Sequence, residues 1–308
     1  MSTPNYLQVL NLAYPEKSTI IFDKIKFPDG QQSIKIKSDV SSLRAVKIYS
    51  RFNNFRDLEL ILCATAALKN LGMTDIFLYI PYFLGGRSDR KFEEGSIHYI
   101  KDVVAPIINA QNYRGVIVLD PHSDVIEACI NQIEKVDNEL LVKYSLESIK
   151  NNVSKINFDP SSNRQICMVS PDAGALKKIY SIAKEFSISN VVTASKVRDL
   201  STGKILHTDV PLSSCSSNNM IFLLVDDICD GGRTFIEIAK SIREARPTPI
   251  FNDKIYLIVT HGIFSNGLYD LARWVNGIYS TNSVKDIKAS EFSDYTVPDE
   301  FLTQFNIY

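Results

Sequence analysis

One stretch, residues 221–234, constrains the rest of the chain more than any other, and it reads IFLLVDDICDGGRT. Its five leading apolar residues, 221–225, are too few for a buried helix. They suit a strand covered on both faces, as in a parallel α/β sheet. Asp226, Asp227 and Asp230 follow, then Gly231 and Gly232, then Arg233 and Thr234. Beyond them Phe235, Ile238, Ala239 and Ile242 fall at helical spacing. The acids and glycines are therefore expected in the turn between a strand end and a helix start, where open α/β sheets bind ligands.

That turn carries a chemical reading. Glycines let a backbone approach an anion, and the free amides and dipole at a helix start favour phosphate. Neighbouring carboxylates suit sugar hydroxyls or a magnesium ion, which takes oxygen ligands. A phosphate cradle beside a diol clamp describes a ribose phosphate. The competing reading is a capped, solvated turn, which an isolated Gly-Gly pair would favour; three acids and a hydroxyl around the pair favour a site.

The chain has 308 residues, enough for two domains, and its 45% hydrophobic and 22% charged content are those of a globular protein. A net charge of -1 gives no long-range pull toward nucleic acid or membrane, so small molecules are the expected substrates. Cys63, Cys129, Cys167, Cys215 and Cys229 are odd in number, scattered and without a CxxC pair. This argues for reduced, mostly buried thiols rather than a disulfide framework or zinc knuckle. The first residues lack a basic stretch followed by an apolar one, and no run approaches a membrane span. A cytoplasmic protein is expected.

In chain order, residues 18–27 and 33–37 read as strands flanking a turn of Phe27, Pro28, Asp29 and Gly30. An ordinary hairpin would look the same. A strand at 46–50 is followed by a helix through Leu58, Ile61, Leu62, Thr65 and Leu68, ending near Gly72. A strand at 76–80 then delivers Pro81, Tyr82, Phe83, Leu84, Gly85, Gly86, Arg87, Ser88, Asp89 and Arg90. Two guanidiniums around an acid can grip phosphate oxygens bidentately, although a solvated charged loop is the alternative. After a helix at 103–110, a strand at 115–119 ends in Asp120, Pro121, His122 and Ser123, where a carboxylate can orient an imidazole.

Residues 135–142 lack periodicity and are expected to carry the crossing between domains 1–143 and 144–308. A strand at 166–169, a turn at 170–174 and a helix at 175–186 repeat the order of the first half. Lys196 and Arg198 follow a strand at 191–194. Two residues apart in extended chain, they lie on one side at a separation of roughly 6 to 7 Å, a placement that can neutralise a transferring phosphoryl group. An exposed basic ribbon with Lys204 is the alternative, and residues 200–206 read as a mobile loop. A last strand at 254–260 runs into His261, Gly262, Ile263, Phe264, Ser265, Asn266 and Gly267.

VDDICDGGRT resembles the phosphoribosyl pyrophosphate-binding motif shared by type I phosphoribosyltransferases and ribose-phosphate diphosphokinases. The turn at Phe27 and Asp29, the Pro81 to Arg90 run, Asp120 to His122, Ser170 to Gly174, the Lys196/Arg198 pair and the Thr260 to Ser265 run resemble the second family alone. The likeness spans nearly the whole chain. It implies an α/β protein of two tandem type I phosphoribosyltransferase-like domains, each a mostly parallel sheet flanked by helices. It also implies an enzyme that moves the β,γ-diphosphate of magnesium-ATP to the anomeric hydroxyl of ribose 5-phosphate, releasing AMP.

By the same resemblance, Phe27, Asp29, Arg87, Arg90 and His122 hold ATP, with Phe27 and Asp29 serving a neighbouring subunit. Lys196, Arg198 and His122 are catalytic, and His122 and Asp172 hold Mg2+. Asp226, Asp227, Asp230, Gly231, Gly232, Arg233 and Thr234 hold the sugar phosphate, and His261 packs beneath that site. A homo-oligomer, dimer or hexamer, and a role in nucleotide or nicotinamide salvage are expected. The chain departs from the family at Gln31, Ser88 and the segment after Lys91, where Lys101 alone corresponds. It departs again at Gly231 and Arg233, where a lost hydroxyl leaves space and a cation is added. Three alternatives follow: an acceptor with an esterified phosphate such as ADP-ribose, a phosphoribosyltransferase, or a non-catalytic regulatory relative.

Overall fold

The computed structural model describes residues 7–153, 165–198, 205–215, 217–247, 252–287 and 301–307. The chain divides into two compact units, Met1–Asp137 with Ile307–Tyr308, and Asn138–Asn306. The division falls a little before the boundary expected at 143, because a helix of the second unit already begins at Glu139.

The first unit is built on a parallel sheet. Strand β1 (Gln8–Asn11) is followed by a hairpin of β2 (Phe22–Lys26) and β3 (Gln32–Ile36), then β4 (Val46–Tyr49) and helix α1 (Phe55–Asn70). Next come β5 (Ile76–Tyr79), a π-helical turn (Ile100–Val104) leading into α2 (Ala105–Asn109), β6 (Gly115–Leu119), α3 (Val125–Cys129) and β7 (Ile133–Val136). The sheet order is β1-β4-β5-β6-β7, every neighbour parallel, with β2 and β3 paired separately and antiparallel.

Helix α1 starts at a capping box. The Asn54 side chain accepts from the amides of Arg56 and Asp57, while the Asp57 carboxylate accepts from the amide of Asn54. Leu58, Ile61, Ala64 and Leu68 then bury one face against the sheet core formed by Ile48, Leu78 and Val118. Gly72, at φ 85°, turns the chain out of the helix toward β5.

The second unit runs α4 (Glu139–Val153), β8 (Ile166–Ser170), α5 (Leu176–Glu185), β9 (Asn190–Thr193), β10 (Ser195–Arg198) and β11 (Ile205–Asp209). It continues with β12 (Ile221–Cys229), α6 (Arg233–Ala245), β13 (Lys254–Gly262), α7 (Tyr269–Ala272), β14 (Gly277–Thr281) and β15 (Leu302–Phe305). Its sheet, in the order β15-β14-β13-β12-β8-β9, is parallel throughout, and β10 and β11 form an antiparallel ribbon.

Strand β12 is central and covered on both faces. Phe222 and Leu224 join the core that holds Phe235, Ile238 and Ile242 of α6. Ile221, Leu223 and Val225 join the opposite core with Ile179 and Ile182 of α5 and Val142 and Ile149 of α4. Period-2 alternation between two apolar layers is why the run carries no polar residue until Asp226.

The sequence places the acids in a turn after residue 225, but the strand continues. Asp226 stays in register with Val259, Ile228 with His261 and Cys229 with Gly262. Buried Ile228 and Cys229 keep this extension anchored in the sheet, so the two acids sit on the strand's carboxyl end and only Asp230, Gly231 and Gly232 form the turn. The chain passes from the first unit to the second at Asp137 and Asn138, inside the expected crossing at 135–142, whose flanks are the end of β7 and the start of α4.

Candidate active site

In the second unit the carboxyl ends of β12 and β13 are laced together beyond the strands. The carbonyl of Cys229 accepts from the amides of Ile263 and Phe264, and that of Asp230 from the amide of Ser265. The hydroxyl of Ser265 donates to Asp230 Oδ1 at 2.7 Å. Gly232 has φ 79°, a left-handed conformation, and a methyl group there would press on Leu271 at 3.0 Å. Helix α6 starts at the next residue with no side chain capping it. A helix start of this kind offers amides to an anion, and the exposed Arg233 stands at the same end.

Asp226 and Asp227 flank that anion site on the strand side. The Asp227 amide donates to Asp226 Oδ1 at 2.9 Å, and the Asp227 residue is only 9% exposed. Burial, followed by the charge and hydrogen bond of Asp227, pushes the Asp226 carboxyl well above its ordinary value of 3.8, with Lys178 opposing weakly. Two carboxylates so crowded gain from any group that supplies donors or positive charge, which vicinal hydroxyls or a cation would do.

Asp172 occupies the turn after β8. Its Oδ1 accepts from the amides of Gly174 at 2.9 Å and Ala175 at 3.1 Å, fixing the entry to α5 and leaving the exposed carboxylate at the turn's rim. Among the described residues no three His, Cys, Asp or Glu side chains gather to hold a metal ion. Magnesium is commonly held by one or two carboxylates plus substrate phosphates rather than by a protein cage. A lone exposed carboxylate such as Asp172 fits that manner of binding.

Lys196 and Arg198 both lie on β10, with Lys196 opposite Thr208 and Arg198 opposite Ile205. The register shifts between Val197 and Arg198, so the ribbon is kinked by a bulge. Lys204 and most of the expected loop at 200–206 lie outside the described residues. His261 is buried and its Nδ1 is 2.8 Å from Ser283 Oγ.

In the first unit the expected ATP residues again come from strand ends. Arg87 and Arg90 are exposed on the segment after β5, where the left-handed Gly85 turns the chain and Gly86 bonds back to Phe83. Arg90 Nε is 4.0 Å from Asp89 Oδ1, the outer limit of an ion pair, and its guanidinium carbon lies 5.5 Å from the Phe92 ring centroid. Asp89 therefore grips Arg90 less firmly than the sequence implies. After β6, Asp120 is buried at φ 45° with its amide on Val136 O, and His122 follows, exposed. The hairpin places Phe27 at its tip with 45% of its surface exposed, and Asp29 Oδ1 accepts from the Gln31 amide at 3.1 Å.

Two features were not found from the sequence. Arg51, after β4, bonds the Tyr14 hydroxyl and lies over its ring, 5.0 Å from the centroid. The second is Asn266. The space expected beside Gly231 is not open, since a methyl group there would meet Asn266 Nδ2 at 2.7 Å. The sequence run holding Ser265 was a signal for the first of the two loop residues; nothing marked its neighbour.

This fold and site define a phosphoribosyltransferase type of domain, and residues 140–287 match the phosphoribosyl transferase domain family. Ribose-phosphate pyrophosphokinase from Sulfurisphaera tokodaii is 26% identical over 264 residues, covering 84% of this chain and 82% of the relative. That of Marinomonas sp. is 27% identical over 285 residues, covering 91% and 78%. A crystal structure of phosphoribosylpyrophosphate synthetase from Mycobacterium smegmatis shares the fold, with a TM-score of 0.73 at 15% identity, covering 97% of this chain and 94% of that one. Over most of its length the chain is thus similar to ribose-phosphate pyrophosphokinases, at low identity.

Proposed function

We propose that the protein transfers the diphosphate of ATP to the anomeric hydroxyl of ribose 5-phosphate, forming phosphoribosyl pyrophosphate and AMP. The observation that carries this reading is the Asp226/Asp227 carboxylate pair set directly before an uncapped helix start at Gly232, a diol clamp next to a phosphate cradle. The curated relatives are named for the same reaction.

In this reading Asp226 and Asp227 accept hydrogen bonds from the ribose hydroxyls. Asp230, Gly231, Gly232, Arg233 and Thr234 surround the 5-phosphate. The acceptor hydroxyl attacks the β-phosphorus of ATP and AMP departs, a transfer that depends on position and charge neutralisation more than on covalent help. Arg87, Lys196 and Arg198 neutralise the charge that builds on the transferring group, and Arg90, His122 and Asp29 hold the triphosphate. Asp172 and His122 are the residues that would hold magnesium, which would supply further neutralisation of the nucleotide's phosphates.

Phe27 and Asp29 act on the site of a second subunit, in a homodimer or hexamer. Among the described residues no helix is long and apolar enough to cross a membrane, and nucleotide biosynthesis in the cytoplasm is the proposed setting.

Incubation of the protein with ATP, magnesium and ribose 5-phosphate should yield AMP and phosphoribosyl pyrophosphate in equal amounts, read by anion-exchange chromatography and phosphorus NMR. A nucleotide formed only from phosphoribosyl pyrophosphate and a base, with release of pyrophosphate, would mark a phosphoribosyltransferase instead, and no turnover of any acceptor would mark a regulatory subunit. ADP-ribose as acceptor is tested in the same assay.

A further inference from the structure

Asn266 stands against Gly231 so that a side chain at 231 would have to displace its amide. A methyl group there would lie 2.7 Å from Asn266 Nδ2, 3.3 Å from its Cγ and 3.7 Å from Ser265 Oγ. The two loops that carry these residues are not loosely apposed. The carbonyls of Cys229 and Asp230 take three amides from residues 263–265, and Ser265 Oγ adds a bond to Asp230 Oδ1 at 2.7 Å. Asn266 is the next residue along this ladder, so its Cα is placed by the same bonds. Its own contact with the loop is weak: Nδ2 donates to Gly231 O at 3.4 Å, near the limit of a hydrogen bond, from an exposed side chain.

An amide with one long, replaceable bond at the mouth of an anion cradle is a donor held in reserve. Helix α6 begins two residues after Gly231 behind a glycine N-cap that has no side chain to offer it, and the exposed Arg233 adds positive charge. We infer that Asn266 is a specificity-determining residue of the sugar-phosphate site, donating its side-chain amide to the acceptor's phosphate from the space that a side chain at 231 would occupy. Glycine at 231 and asparagine at 266 are then two halves of one solution. A hydroxyl-bearing residue at 231 would supply the donor itself but collide with Asn266. The inference rests on the proposed function, since the acceptor must be a phosphorylated sugar.

Four variants test it: Asn266→Ala, Asn266→Asp, Gly231→Thr, and Gly231→Thr combined with Asn266→Gly. Ribose 5-phosphate binding is measured by titration calorimetry, KM and kcat in the AMP-forming assay, and folding by the thermal midpoint. Loss of one hydrogen bond to a charged group should weaken ribose 5-phosphate binding about tenfold in Asn266→Ala. Its KM should rise in step, with kcat at saturation held within about twofold and the KM for ATP unmoved. Asn266→Asp, which turns a donor into a like charge, should bind more weakly still. Gly231→Thr alone should lose affinity through the collision, and adding Asn266→Gly should return it toward wild type.

Wild-type affinity in both Asn266→Ala and Asn266→Asp, with unchanged thermal midpoints, overturns the inference and leaves the functional reading intact. So does a double variant that binds no better than Gly231→Thr. Wild-type protein that binds no ribose 5-phosphate removes the functional reading and the inference with it.

Discussion

At the residue scale the sharpest consequence concerns Asp226. Its carboxyl is held above the ordinary value of 3.8, toward about 9, first by burial and then by Asp227. A proton bound more tightly in the folded chain than in the unfolded one contributes stability below 3.8. That contribution shrinks as the pH rises and is gone above the folded value. Asp226→Asn removes the titration, so urea midpoints measured from pH 5 to pH 9 should fall for wild type and flatten for the variant, while the variant loses its hold on the ribose.

Gly232 gives the converse case, a residue whose replacement costs folding and function together. Alanine there must adopt φ 79° and press on Leu271. Gly232→Ala should cost about 1–2 kcal/mol in urea unfolding and weaken ribose 5-phosphate binding. The sequence marks both positions, because an acid pair and a Gly pair after an apolar run are local signals. Asn266 is not legible in this way. Its partner lies 35 positions away along the chain, and only the pairing of β12 with β13 brings them together.

At the scale of elements, the segments visible in the sequence are those buried on both faces. Strands β5, β6, β8, β12 and β13 are contiguous apolar runs between turn residues, and α1 shows its face and its stop. Edge strands β1, β7 and β15, reading QVLN, IEKV and LTQF, mix polar with apolar side chains because an edge meets less of the core. Such strings look like loop, so the end of β7 is not legible beside the crossing that follows it at Asp137 and Asn138. The charges of Asp226 and Asp227 hid the last part of β12 in the same way, since a carboxylate reads as the end of a strand unless the neighbouring register is known.

The connections before β12 and β13 are tied to helix α6 by another feature hidden from sequence. Arg246, just past that helix, meets Asp253 at 2.6 Å and donates to the carbonyls of Cys215 and Ser217, with the two ion-pair side chains 7% and 1% exposed. Asp253 Oδ1 also accepts from the amide of Met220, where β12 is about to begin. Arg246→Met leaves a buried carboxylate without its cation and should cost about 3–5 kcal/mol by urea unfolding. Replacing Asp253 and Arg246 together by apolar residues should cost less than the single change.

At the scale of the molecule, the proposed function divides the chemistry between the two units, with the residues proposed for the nucleotide in one and those proposed for the sugar phosphate in the other. The hairpin adds a third party. Phe27 sits at the tip of β2 and β3 with 45% of its surface exposed, and Ile25 along β2 and Ile21 at the hairpin's open end are exposed as well, an arrangement with little value to an isolated chain. If the tip completes the nucleotide site of a second copy, two defective chains can repair each other. Phe27→Ala lacks the tip but keeps its acids, while Asp226→Asn keeps the tip but lacks an acid.

Each variant alone should form AMP slowly. Mixed in equal amounts after dissociation and reassociation, they should regain about a quarter of wild-type activity, because that share of sites would pair an intact tip with an intact acid in a symmetric assembly. A tip that serves its own chain leaves every site in the mixture with one defect. Activity then stays at the average of the two variants, and sedimentation of the mixture shows whether mixed oligomers formed.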